Sequence, residues 1–280
     1  MTFELLQHTP GCNRLILIFT GWSASPDLHK DIQLKGWDIA VVHNYSDLDF
    51  DLGALDGYST IWLFAWSLGI VAASHILPAE KITAAFAVNG TLNPVDDNEG
   101  IPVSIYKGTA SNLDQRNLSK FLRRMSPDSE TFKRSFSKQF SDEDIEDLRE
   151  QLILLHNISN SLCDNLPWRK VFISKGDRIF PPGNMKQSWE KKKVETIEIE
   201  GAHYYPLEKI IHSVVPDTVR IASKFHSALD CYDRYATAQE RVSDRLNSMI
   251  ANHFSTPDSS ILEIGPVSYT HRRAHEPRMN

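Results

Sequence analysis

Short uninterrupted apolar runs, each closed by a turn residue, recur along this chain and alternate with stretches of helical periodicity. RLILIF (Arg14–Phe19) stops at Thr20-Gly21, WDIAVV (Trp37–Val42) follows, and TIWLFAW (Thr60–Trp66) comes after it. Leu68 to Leu77 is apolar and alanine-rich, has Pro78 after it, and reads as a buried helix. ITAAFAVNG and IPVSIYKG come next; KVFISKGD and VETIEIEG come later, separated by the helix-like GNMKQSWEKKK. A strand with one face in water alternates apolar and polar residues, whereas a continuous run is covered on both faces. Doubly covered strands interleaved with helices predict an α/β domain, with a mostly parallel central sheet and helices on each side.

Ser111 to Asp164 breaks this rhythm. It is rich in charge, and its apolar residues fall at helical spacing: Leu118, Phe121, Leu122 and Met125, then Phe132, Phe136 and Phe140, then Ile145, Leu148, Leu152 and Leu155. Several amphipathic helices inserted between two strands are expected. They are either ordinary surface helices or a cap over a site.

Composition narrows the function classes. With 280 residues, 41% hydrophobic and 24% charged, the chain reads as a soluble globular protein of one large domain, or one domain and part of another. A net charge of −6 argues against a nucleic-acid partner. Cys12, Cys163 and Cys231 are odd in number, far apart and without CxxC spacing, so neither a disulfide framework nor a zinc site is expected. No apolar run approaches the roughly 20 residues of a membrane span. MTFELLQHTPGCNR lacks a charged region followed by an apolar one, so no signal peptide is expected and a cytoplasmic protein is the default. No cofactor or metal is called for.

Ser67 stands where the third apolar run meets the buried helix, in Ala65-Trp66-Ser67-Leu68-Gly69. A serine hydroxyl is a poor nucleophile until a base takes its proton. The pattern that places one best is a strand, a tight turn holding the serine, and a helix, usually written G-x-S-x-G because small residues let the strained turn pass its neighbours. Alanine replaces the first glycine here and is still small. The competing reading is a structural serine at a strand–helix junction.

An acid and a base should follow in the order Ser, Asp, His, each just after a strand. KVFISKGDRIFPP puts Asp177 in a Gly-Asp turn beyond an apolar run, and VETIEIEGAHYYPLE puts His203 in a loop opened by Gly201. Singly, Asp177 could be a turn former and His203 a packed core residue. Together they stand in the right order at the strand ends where open α/β sheets gather their reactive groups. An oxyanion hole needs the amide of the residue after the serine, Leu68, and one from a loop after an early strand. LILIFTGWSAS supplies that loop, with Gly21 permitting close approach and Trp22 giving the amide.

IFTGWS, FAWSLG, AVNGT (Ala87–Thr91), SKGDRIFPP and EGAHYYP together resemble the short α/β-hydrolases that act as pimeloyl-acyl-carrier-protein methyl ester esterases of biotin synthesis, the BioG type. The resemblance runs from about Thr2 to Lys224. It implies Ser67 as nucleophile, Asp177 as acid, His203 as base, Trp22 and Leu68 as oxyanion and binding positions, and the methyl ester of pimeloyl-acyl carrier protein as substrate. Spacing alone implies only a serine hydrolase acting on an ester or related acyl bond.

Beyond Phe225, HSALDCYDRYATAQERVSDRLNSMIANHF and SSILEIG resemble the start of the pathway's malonyl-acyl-carrier-protein methyltransferase, the BioC type, through Tyr232-Asp233, Gln239 and Leu262-Glu263-Ile264-Gly265. Pro266 then takes the place of the expected glycine-rich turn. The organisation expected is a hydrolase domain over 1–224 with a cap at about 111–164, a methyltransferase-like fragment over 225–265, and a foreign or disordered tail over 266–280.

The cap also carries a charge asymmetry. Arg116, Lys120, Arg123, Arg124, Lys133, Arg134 and Lys138 face only Asp128 and Glu130, after which the sign reverses. Arg123, Arg124, Lys133 and Arg134 are the candidate docking residues for an acidic carrier protein; the alternative is a solvated helix face. The expected protein is thus a monomeric serine carboxylesterase with the acyl carrier protein as partner and no nucleic acid or membrane. A general short-chain carboxylesterase and a catalytically silent hydrolase-fold binding protein remain as alternatives.

Overall fold

The computed structural model describes residues 1–160 and 164–215, with Arg241, Asp244, Arg245, Ser248 and Met249 beyond them. The chain divides into two units, Met1–Val214 and Val215–Asn280. The first unit is the α/β part. Apart from those five residues, the methyltransferase-like segment at 225–265 and the tail at 266–280 lie outside the described residues.

Seven strands form one sheet in the order β1-β3-β2-β4-β5-β6-β7. They are β1 (Thr2–Gln7), β2 (Arg14–Phe19), β3 (Asp38–His43), β4 (Thr60–Trp66), β5 (Ala84–Val88), β6 (Trp168–Ser174) and β7 (Glu195–Ile199). Only β1 is antiparallel to its neighbour; every other pairing is parallel. Leu15 to Phe19 and Ile39 to Val42 are all 0% exposed, which is why these strands read as continuous apolar runs. With helices around this sheet, the architecture is an α/β-hydrolase fold.

Register decides what meets at the carboxyl ends. Phe19 pairs with Ala65, so the loop after β2 lies beside the turn after β4. Trp66 pairs with Val88, Val88 with Phe172, and Ser174 with Ile199. The loops holding Trp22, Ser67, Asn89, Asp177 and His203 therefore leave one edge of the sheet side by side.

Helix α1 (Gly69–Ile76) follows β4 directly and is almost wholly buried. Glycine at its first position is required: a Cβ there would sit 2.5 Å from the carbonyl oxygens of Phe19 and Thr20. Between β5 and β6 come α2 (Val103–Ser111), α3 (Gln115–Met125), α4 (Ser129–Ser135) and α5 (Asp142–Ser159). Asp114, Asp128 and Ser141 cap α3, α4 and α5, the last in a reciprocal capping box with Asp144. Helices α6 (Pro182–Lys191) and α7 (Leu207–Val214) complete the unit.

IPVSIYKG, expected among the strands, is a correction: it folds as α2. Of that helix only Tyr106 is fully buried, its hydroxyl donating to the Leu152 carbonyl of α5 at 2.8 Å. One fully buried side chain in nine residues suits a helix on the surface, and a short apolar run alone does not distinguish helix from strand.

Candidate active site

Ser67 occupies the sharp turn between β4 and α1 at φ 58°, a left-handed conformation that side chains other than glycine enter only under constraint. The constraint is visible. Ser67 N–H donates to the Val88 carbonyl at 2.9 Å, and its own carbonyl accepts from Ile70 N–H at 3.2 Å. Gly90 lies so close that a Cβ on it would be 2.7 Å from Ser67 O and 2.9 Å from Ser67 Cα. Gly21 is similarly pressed, its missing Cβ 3.0 Å from the Trp66 ring.

His203 Nε2 is 2.9 Å from Ser67 Oγ, and His203 Nδ1 is 2.8 Å from Asp177 Oδ2. The other Asp177 oxygen accepts from the backbone N–H groups of Ile179 and Phe180 at 2.7 and 2.9 Å, which fixes the carboxylate plane. Ser67, Asp177 and His203 are 6%, 7% and 1% exposed. The imidazole lies parallel to the Phe180 ring, 5.8 Å between centroids at 9°, with Trp66 tilted at 5.6 Å. All three residues singled out from the sequence meet in one hydrogen-bonded line, and burial strengthens each bond in it.

Trp22 and Leu68 both line the cleft at the serine. Among the described residues, neither amide N–H donates to a protein acceptor. The Trp22 side chain points away to the inserted helices: its Nε1 donates to the Leu148 carbonyl at 2.9 Å and its ring meets Phe121 edge-on at 5.2 Å. Thr20, which starts the loop, is held from behind by the Tyr45 hydroxyl on its carbonyl (2.6 Å) and by His29 Nε2 at its own hydroxyl (2.9 Å).

The cleft walls are apolar: Ile101, Ile105, Tyr106, Phe121, Leu152 and Ile179, drawn from the inserted helices and the acid loop. Arg124 is the cation at this lining, and its side chain is exposed. The other proposed docking residues spread out. Arg123 lies over the Phe132 ring at 4.5 Å, Lys133 is exposed on α4, and Arg134 is on a separate groove beside Tyr204. Among the described residues, no group of three or more His, Cys, Asp or Glu could hold a metal, and no helix is long and apolar enough to cross a membrane.

Sequence reasoning assigned no role to Asn89, Phe180 or Tyr204. Asn89 is 0% exposed at φ 46°. An Asn-Gly pair directly after a strand was the available signal for a left-handed residue there. Tyr204 N–H donates to the Met125 carbonyl at 2.9 Å, and its ring packs edge-on against Phe136 and Trp66.

A left-handed serine at a strand–helix turn, lined up with a histidine and an aspartate from later strand ends, defines an α/β-hydrolase with a Ser–His–Asp arrangement. More narrowly, the chain belongs to the family of pimeloyl-ACP methyl esterase BioG, whose model matches residues 4–214. The solved BioG of Haemophilus influenzae superposes with a TM-score of 0.64 at 32% identity, covering 73% of this chain and 94% of that one. An uncharacterized protein of Haemophilus influenzae is 36% identical over 195 residues, 68% of this chain and 88% of its own length. A malonyl-[acyl-carrier protein] O-methyltransferase of Bacteroides fragilis is 32% identical over 266 residues, 92% of this chain. This chain spans about half the length, 54%, of that relative. A bromoperoxidase of Bacillus anthracis shares the fold at 13% identity, TM-score 0.51 over 79% of this chain and 94% of its own.

Proposed function

We propose that this protein hydrolyses the methyl ester of pimeloyl-acyl carrier protein in biotin synthesis, with Ser67 as nucleophile. The observation that carries the reading is the Ser67–His203–Asp177 line buried at the base of an apolar cleft, in a chain of the BioG family. His203 Nε2 takes the Ser67 proton as Oγ attacks the ester carbonyl. Asp177, held by two backbone amides, keeps Nδ1 protonated and stabilises the imidazolium. The carbonyl oxygen becomes an oxyanion and is met by the amides of Leu68 and Trp22. The proton passes from His203 to the leaving methoxide, and methanol departs. Water then loses a proton to His203 as it attacks the acyl-serine; the acyl–Oγ bond breaks, His203 returns that proton to Ser67 Oγ, and the pimeloyl carboxylate is freed.

The cleft supports the acyl part of this reading. Each methylene buried among Ile101, Ile105, Tyr106 and their neighbours contributes about 0.8 kcal/mol to binding. Arg124 stands where a chain leaving the cleft would reach an acidic carrier. Arg123, Lys133 and Arg134 extend positive charge along α3 and α4. The segment over 225–265 is proposed as the beginning of a methyltransferase portion, because the Bacteroides alignment covers 92% of the chain and so continues past residue 214.

Mass spectrometry of pimeloyl-carrier methyl ester incubated with the protein tests the reading. Loss of the methyl group, abolished by Ser67→Ala, supports it. Turnover of small methyl esters with no reaction on the carrier-bound ester would favour a general carboxylesterase, and turnover of neither would favour a binding protein.

A further inference from the structure

The loops bearing the acid and the base are joined by one side chain, and the turn bearing the nucleophile reaches the same point through Trp66. Asn89 follows β5 between the Ser67 turn and the loop that leads to Asp177. Its Oδ1 accepts from Ser174 N–H at 2.7 Å. The two hydrogens of its Nδ2 serve three acceptors, Ser174 Oγ at 2.8 Å, the Ala202 carbonyl at 3.1 Å and the His203 carbonyl at 2.8 Å. The partners settle which end of the amide is which: a backbone N–H can only donate, and two carbonyls can only accept. The same His203 carbonyl accepts a second bond, from Trp66 Nε1 at 2.9 Å. Trp66 is the residue before Ser67.

We infer that Asn89 and Trp66 are positioning residues, which clamp the His203 peptide so that its imidazole spans Ser67 and Asp177. The inference rests on reading those three as the catalytic residues. Two donors on one carbonyl fix the plane of the His203 peptide, and that plane sets the direction of the bond carrying the ring. Ser174 is tied by the same amide, three residues before Asp177, so acid and base are registered to one point. Asn89 is not among the residues that line the cleft, so it acts on the reacting atoms only through the His203 peptide. Its effect is orientation, where a shift of about 1 Å costs on the order of a hundredfold in rate.

The backbone at position 89 separates this role from simple folding. At φ 46° glycine is at ease, so Asn89→Gly removes the amide without straining the turn. Asn89→Asp keeps the shape but turns an oxygen toward the carbonyls of Ala202 and His203. That carboxyl can donate only when protonated, so it restores part of the clamp as pH falls.

The test is the rate at which a fluorophosphonate probe labels Ser67, read by mass spectrometry from about pH 6 to about pH 9, with circular dichroism for folding. Wild type should label at Ser67. Asn89→Gly should label at least roughly tenfold more slowly while remaining folded. For Asn89→Asp, the rate relative to wild type should rise as pH falls, a trend that loss of packing alone would not produce. Equal labelling of wild type and Asn89→Gly would overturn the inference and leave the nucleophile assignment standing. Failure of wild type to label at Ser67 would overturn the assignment, and the inference with it. If Asn89→Gly does not fold, Trp66→Phe carries the test, since it removes the other donor to the same carbonyl together with part of the ring; unchanged labelling there overturns the clamp.

Discussion

Acid should unfold this protein in part through His29. The ring is 1% exposed, bonded through Nε2 to Thr20 Oγ1, and its Nδ1 has no partner. Burial lowers its pKa from 6.5 to about 4. Above the unfolded value of 6.5 the ring is neutral in both states, and stability does not depend on it. As pH falls from 6.5 towards 4, the unfolded chain takes up a proton that the folded core refuses, so stability is lost. Below about 4 both states are protonated and the slope ends. The gap from 6.5 to about 4, at about 1.4 kcal/mol per tenfold change in proton affinity, is worth roughly 3 kcal/mol. Urea unfolding followed by tryptophan fluorescence at about pH 7.5 and about pH 4.5 measures it, because most of the loss, about 2.5 kcal/mol, falls in that window. His29→Gln cannot titrate and should lose that much less over the same interval, whatever its stability at neutral pH. Equal losses in the two proteins would mean that His29 admits its proton without unfolding.

Gly90→Ala should lower kcat on a soluble p-nitrophenyl ester by tenfold or more, on the order of what a displaced nucleophile costs, because its Cβ would press into the Ser67 backbone; wild-type kinetics would refute the crowding. Trp22→Phe removes the bond to the Leu148 carbonyl and should cost about 1 kcal/mol in denaturant unfolding, with KM rising more than kcat falls. Arg124→Glu should raise KM for carrier-bound ester several-fold and leave a small ester nearly unchanged, the difference shrinking as salt screens exposed charge. Equal loss on both substrates would mean that the cleft itself had been damaged.

Strands β2, β4 and β5 were legible in the sequence because burial on both faces leaves no alternation, and Ser67, Asp177 and His203 because each follows a strand in a recognisable order, although β7 before His203 is only half-buried to exposed. Strand β1 was not read: TFELLQ is largely exposed or half-buried at the sheet edge and pairs only with β3, so nothing local marks it. α2 was misread because IPVSIYKG is too short for its period to show. The Asn89 clamp was illegible for a different reason. Its bonds run to residues 85 to 114 positions away, and only the sheet register brings them together. The Asn-Gly pair signalled a turn and nothing of what the side chain would hold.

Tyr204 ties the inserted helices to the loop that carries His203. Its N–H is bonded to the last residue of α3, and its ring is wedged between Phe136 and Trp66, one peptide away from His203. If α3 and α4 swing outward to admit a bulky substrate, they must either release Tyr204 or drag the base off the serine. Where Tyr204 keeps its hold, such an enzyme is armed only when shut: an open cleft would leave Ser67 unassisted, and closure would restore its base in the same motion.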